Sequence, residues 1–184
     1  ADPAAGGDRL ALALVAVGGR EARLTLPLGE QPRLWSLEDP HLYDATLTLT
    51  AGKDVDRVSS YFGLRKLGIE KLPGLGHPYV SLNGKPVYLQ MTLDQSWNPD
   101  GYWTWPTDEA MREEVLIARR LGLNTIRTHV KVEIPRKLYW ADRLGVLVMA
   151  DVPNSWGEPD EAMRKEWETA LRGMVRRDFN HPSV

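Results

Sequence analysis

Two side chains in the stretch "NTIRTHV", Asn124 to Val130, have types and spacing that can act together. Arg127 and His129 alternate about Thr128, so in an extended chain they project from one face. Both stand at the end of an apolar run, and in barrel-like α/β sheets the strand ends carry the chemistry. A guanidinium fixed there keeps a neighbouring carboxylate ionised, as part of a site or as a structural ion pair. His129 suits a hydroxyl contact and packing within a loop equally well. The carboxylates at comparable positions are Asp94, followed by Gln95 after "VYLQMTL", and Asp151, after "VLVMA". A carboxylate that accepts from two hydroxyls orients a polyol strongly. Capping the next loop is the alternative for Asp94, and holding the loop is the alternative for Asp151. Asn154 and Trp156 follow Asp151, while Trp97, Trp103 and Trp105 crowd the segment after Asp94. Seven Trp in 184 residues is the one compositional oddity. Such rings stack on the apolar faces of sugars or build a small loop core.

The elements that must position these groups fall into two halves. Before about Leu67 the runs Arg9 to Val17, Ala22 to Leu28, Ala45 to Ala51 and Asp56 to Gly63 alternate with a period of two, which predicts strands. Gly18-Gly19 and Gly52-Lys53 are turn signals between them. One polar face per strand predicts an antiparallel sandwich. From about Gly68, Asn83-Gly84 marks a hairpin. Strand and helix then alternate: Val87 to Leu93, a helix capped by Thr107 and ending at Gly122, Asn124 to Val130, Pro135 to Leu144, Val146 to Asp151, and a helix marked by Met163, Trp167, Ala170 and Met174. Helix-to-strand links this short predict a parallel sheet with right-handed crossovers. No G-x-G-x-x-G follows its first strand, so a dinucleotide fold is disfavoured. A barrel needs eight strands, so on this reading the chain stops short.

Composition excludes several classes. Lys+Arg 23 against Asp+Glu 25 gives a net charge of -2, which disfavours nucleic acid or an anionic membrane as the main partner. No apolar run is long enough to span a bilayer. Cys is absent, which rules out disulfides, thiolate metal sites and Cys nucleophiles. The four His are dispersed, so no metal signature is read and no cofactor is expected. Periplasmic, secreted and cytoplasmic locations all stay open.

Six motifs in order resemble glycoside hydrolase family 2, the group of β-galactosidases, β-glucuronidases and β-mannosidases. They are "LWSLEDPHLY", "YFGLRK", "LNGKPVYLQ", "LGLNTIRTH", "YWADRLGVLVMADVPN" and "RRDFNHPSV". The resemblance implies a multidomain β plus α/β chain. Residues 1–67 would be the C-terminal part of an immunoglobulin-like β-sandwich. Residues 68–184 would be the first three βα units of a (β/α)8 TIM barrel, truncated before its fourth strand.

The resemblance also implies a function, retaining exo-β-glycoside hydrolysis. In the family the fourth strand ends in Asn-Glu, whose Glu is the acid/base, and the seventh strand carries the nucleophilic Glu. Both are expected beyond Val184, so no catalytic carboxylate is expected among these residues. Arg127 would orient the nucleophile. His129, Asp94, Gln95, Asn154, Trp97 and Trp156 would contact the sugar. The His-rich stretch of the galactosidases is replaced here by "LDQSWNPDGYW", which leaves the sugar open. The expected partners are a carbohydrate substrate and the rest of the barrel, with a homo-oligomer left open. A non-catalytic carbohydrate-binding module and a split enzyme are the alternatives.

Overall fold

The computed structural model describes residues 15, 18, 19, 21–74, 76–95, 97–153 and 156–184. The chain forms two compact units, 1–33 and 34–184. In the first, the expected strand Arg9 to Val17 lies outside the described residues, Val15 apart. The expected strand Ala22 to Leu28 is corrected: those residues have no strand assignment. Alternation supplies two faces, but a strand also needs a paired edge.

The second unit begins its regular structure with a hairpin. β1 (Tyr43–Ala51) pairs antiparallel with β2 (Asp54–Phe62) across the Gly52-Lys53 turn, with Leu47 opposite Val58. Gly52 takes φ 64, the left-handed conformation that favours glycine. β3 (Leu67–Lys71), β4 (Pro78–Leu82) and β5 (Lys85–Pro86) form a second antiparallel sheet. Asn83 and Gly84 make its predicted tight turn, both with positive φ.

The third sheet is parallel and ordered β6 (Met91–Asp94), β7 (Thr125–Thr128), β8 (Leu147–Ala150). The crossovers are α1 (Asp108–Arg120) and α2 (Pro135–Leu144), and α3 (Glu161–Asp178) follows β8. Strand ends are shorter than the apolar runs suggest, and residues 87–90 are not strand. The helix ends follow local rules. The Thr107 side chain accepts from the Ala110 N–H, Asp160 does the same for Met163, and Pro135 opens α2.

The two faces of the parallel sheet meet different partners. Ile126 packs with Val115, Ala118 and Val146, and Val148 with Leu138, Ala141 and Val184, so this face carries the helices. Leu147, one residue earlier, points the other way into a cluster with Trp35 and Leu82. Trp35 is fully buried and its indole N–H donates to the Asp142 carbonyl at 2.7 Å. That cluster closes the strand-start half of the face opposite the helices. The strand-end half, with Leu93, Arg127 and Met149 in register, stays open.

Gly145 ends α2 with φ 67, and a Cβ there would lie 2.6 Å from the Leu37 carbonyl oxygen. Gly145→Ala is therefore expected to cost about 1–3 kcal/mol, read as a lower urea midpoint at unchanged slope.

Candidate active site

Arg127, His129 and Asp151 converge at the strand-end side of the open face. Arg127 sits within β7, and Asp151 immediately follows β8. Arg127 donates twice to Asp151, Nε to Oδ1 at 3.0 Å and Nη2 to Oδ2 at 2.9 Å. This parallel two-bond fork fixes the guanidinium plane. His129 Nδ1 lies 3.3 Å from Asp151 Oδ2, which accepts when that nitrogen carries the proton. The Val130 N–H also reaches Oδ2, at 3.4 Å.

The backbone supports this arrangement. The His129 N–H donates to the Asp94 carbonyl at 2.8 Å and the Asp151 N–H to the Thr128 carbonyl at 3.2 Å, so the ladder runs past the strand ends. Val130 then takes φ 50, which a β-branched side chain strongly disfavours. Strain of this kind persists where surrounding contacts over-determine it, and it clusters at functional sites.

The electrostatics follow from the fork. Hydrogen bonds from Arg127 hold the Asp151 carboxyl below the usual carboxylate range, against partial desolvation and with help from Val130 and His129. The same bonds raise Arg127 above its ordinary value. A cavity of about 430 Å³ adjoins the pair, lined by Arg127, Ala150, Asp151, Val152, Pro153 and Trp167. The cavity thus presents a fixed cation, a low-pKa carboxylate and an indole.

Asp94 occupies the other side of the sheet. Register places it beside Thr128 on the helix-packed face, and its carboxylate accepts from the Lys137 ammonium of α2. Lys137 is buried and also lies 2.9 Å from Glu114 and 3.3 Å from Glu133. Its ammonium stands 4.5 Å from the centre of the Trp105 ring. Asp94 therefore joins a charge cluster that ties α1, α2 and the first loop together, away from Arg127. Gln95 and Trp97 line a second cavity of about 520 Å³ against α1.

Of the loop aromatics, Trp97 and Trp103 face each other at 4.7 Å between ring centres, with Tyr102 at 6.3 Å from Trp97. All three are exposed. Trp156 is fully exposed, and Asn154 lies outside the described residues. Sequence reasoning gave Asp151 no definite role and placed Trp167 only in a helix stripe. The available signal for Asp151 was its parity with Met149, which pairs with Arg127 across the two strands.

Residues 14–65 match the family description "Glycosyl hydrolases family 2". The chain is 28% identical over 153 residues to a β-galactosidase of Thermoanaerobacterium thermosulfurigenes, covering 83% of this chain and 20% of that protein. The likeness to glycoside hydrolase family 2 therefore rests on residues 14–65 for the family description and on most of the chain for these relatives. Among solved structures, it is similar to the β-glucuronidase of Parabacteroides merdae. The TM-score is 0.73 at 27% identity, over 83% of this chain and 18% of that one. It is also similar to Bacteroides uniformis β-glucuronidase 2, with a TM-score of 0.69 at 30% identity, over 83% and 18% of the two chains. That enzyme was solved covalently bound to cyclophellitol-6-carboxylate aziridine. The chain therefore spans about a fifth of the length of these relatives.

Proposed function

We propose that this chain is part of a retaining exo-β-glycosidase. On this reading residues 1–67 belong to an immunoglobulin-like sandwich, and residues 68–184 supply the first three βα units of a TIM barrel. The observation that carries the proposal is the Arg127–Asp151 fork, with His129 beside it, at the C-terminal ends of parallel strands. Barrel enzymes build their sites at that end, and relatives named as β-galactosidase and β-glucuronidase support the β-glycoside class.

The mechanism needs two carboxyl groups about 5–5.5 Å apart. One protonates the glycosidic oxygen as the other attacks the anomeric carbon. Water then releases the sugar, with the first group acting as base. Both carboxyl groups are placed, by the family pattern, outside these 184 residues. Within the chain, Arg127 would orient and keep ionised the attacking carboxylate, and Asp151 would hold Arg127 in the plane that permits this. His129 would contact a sugar hydroxyl from the same face. Gln95, Trp97, Asn154 and Trp156 would line the approach, while Asp94 would act through its ion pair with Lys137 rather than on the sugar.

The test is turnover of a panel of aryl β-glycosides by the full-length protein that carries this chain, with the anomer of the first product followed by NMR. Retained configuration is the expected result. The isolated 184-residue chain is expected to be inactive. Turnover by the isolated chain would overturn the placement of both carboxyl groups. Glycan binding without turnover by the full-length protein would favour the binding-module alternative.

A further inference from the structure

Two motifs take no part in the site above, yet they meet in space. Tyr61, Gly63 and Arg65 are alternate residues around "YFGLR", and each touches the segment 181–184. The Tyr61 hydroxyl donates to Asp142 Oδ2 at 2.8 Å and lies 3.3 Å from His181 Nδ1. A Cβ at Gly63 would stand 2.6 Å from Cγ of Pro182, so only glycine lets the Pro182 ring seat this closely on residue 63. Arg65 donates to the carbonyls of Pro182 at 2.8 Å, His181 at 3.4 Å and Val184 at 2.5 Å.

Asp142 of α2 completes the grip. Its Oδ1 accepts from the Ser183 N–H at 3.0 Å and from the Ser183 hydroxyl at 2.6 Å. Its Oδ2 is 2.6 Å from His181 Nδ1, besides accepting from Tyr61. Asp142 and Ser183 are both fully buried. A shifted segment would leave a buried carboxylate short of donors, which is strongly disfavoured.

The gripped segment has one further bond. The Val148 N–H donates to the Ser183 carbonyl at 2.7 Å, whereas the Leu147 N–H donates to Asn124, beside β7. Successive amides of a strand point to opposite edges, so Ser183 meets β8 on the edge away from β7. A bond there is where the first rung of a fourth parallel strand would fall.

We infer that Asp142, Tyr61, Gly63 and Arg65 form a register lock for a strand running on from Ser183. They are positioning residues: resting on the glycosidase reading above, the lock aims the acid/base group that the family pattern places at that strand's end. A slip of one residue would turn every inward side chain of that strand outward. The lock also makes barrel register depend on the docking of β2, and this gives the "YFGLR" and "NHPS" motifs a shared task.

Tyr61→Phe and Asp142→Asn in the full-length protein test the inference. Tyr61→Phe keeps the ring and removes one donor, so it reads the lock even where Asp142→Asn does not fold. Amide hydrogen exchange at Val148 is expected to quicken about tenfold or more in either variant, the scale of one hydrogen bond to a charged group. A dinitrophenolate leaves without a proton, whereas an alkoxide needs the acid. The kcat/KM for an alkyl β-glycoside is therefore expected to fall at least about tenfold more than that for a dinitrophenyl β-glycoside. A purely structural loss lowers both alike. Unchanged Val148 exchange in folded variants overturns the lock, and equal slowing of the two substrates overturns its positioning role. If the unaltered protein cleaves neither substrate, the glycosidase reading fails, and the exchange measurement still decides whether the lock exists.

Discussion

On the proposed glycosidase reading, replacing Arg127 with methionine in the full-length protein is expected to lower kcat/KM on an aryl β-glycoside by about 100- to 1,000-fold, the scale of deleting one fixed charge-stabilising donor. The side chain is 43% exposed, and methionine spans much of the same length, so the fold should persist. What disappears is the fork to Asp151 and the cation that faces the open side of the sheet. Arg127→Lys separates charge from geometry. Lysine restores a positive charge but not a planar two-bond donor, so it should recover only a small part of the rate.

The same substitution has a pH signature. Asp151 has a folded pKa below its ordinary 3.8, chiefly through Arg127. Its contribution to stability is therefore present above that ordinary value and is lost as pH falls through the folded value. Arg127→Met should shrink this acid-side loss, which denaturant titrations at pH 7 and pH 3 would detect. Full turnover by folded Arg127→Met would remove the orienting role. An unfolded variant would mark the pair as structural.

Lys137→Met is expected to destabilise the chain by about 3–5 kcal/mol at neutral pH, the cost of breaking a buried ion pair by removing one partner. Lys137 is 3% exposed, and Asp94, Glu114 and Glu133 surround its ammonium. Burial disfavours the charged amine, but Glu133, Glu114 and Asp94 outweigh it, and its pKa rises above the ordinary 10.5. The stabilisation is thus complete below 10.5 and is lost as pH rises through the folded value.

Glu114 shows the opposite balance. Its own burial outweighs the pull of Lys137, so its pKa is raised above 4.5. That contribution is present below 4.5 and lost as pH rises through the folded value. Without the ammonium, Glu114 loses the pull that opposes its burial and takes up a proton more readily. The deficit of Lys137→Met should therefore narrow as pH falls from 7 toward about 4, measured by urea midpoints along the series. A constant deficit would show that the cluster is not electrostatically coupled.

Local signals were read correctly where local energetics decide. Thr107 caps α1, Pro135 opens α2, Gly145 closes it in the left-handed conformation, and Asn83-Gly84 turns a hairpin. Each depends on a few neighbouring dihedrals and hydrogen bonds. Residues 22–28 failed because alternation cannot reveal whether a partner edge exists. Trp105 shows the same limit: a loop indole can face sugar or a protein cation, and here it meets Lys137.

The strand-end carboxylates mark the division between the two levels most clearly. From the sequence alone came the order of elements, their turns and caps, the family motifs and the presence of Asp94 and Asp151 near the ends of parallel strands. The tertiary structure decided which face each took. Asp94 falls on the helix-packed face and meets Lys137, while Asp151 falls on the open face and meets Arg127. The two positions differ by one step of a two-residue repeat. Which step faces the helices depends on where the core lies, and that is settled by α1 and α2 packing on Ile126 and Val148 and by Trp35 reaching Leu147 from the other side.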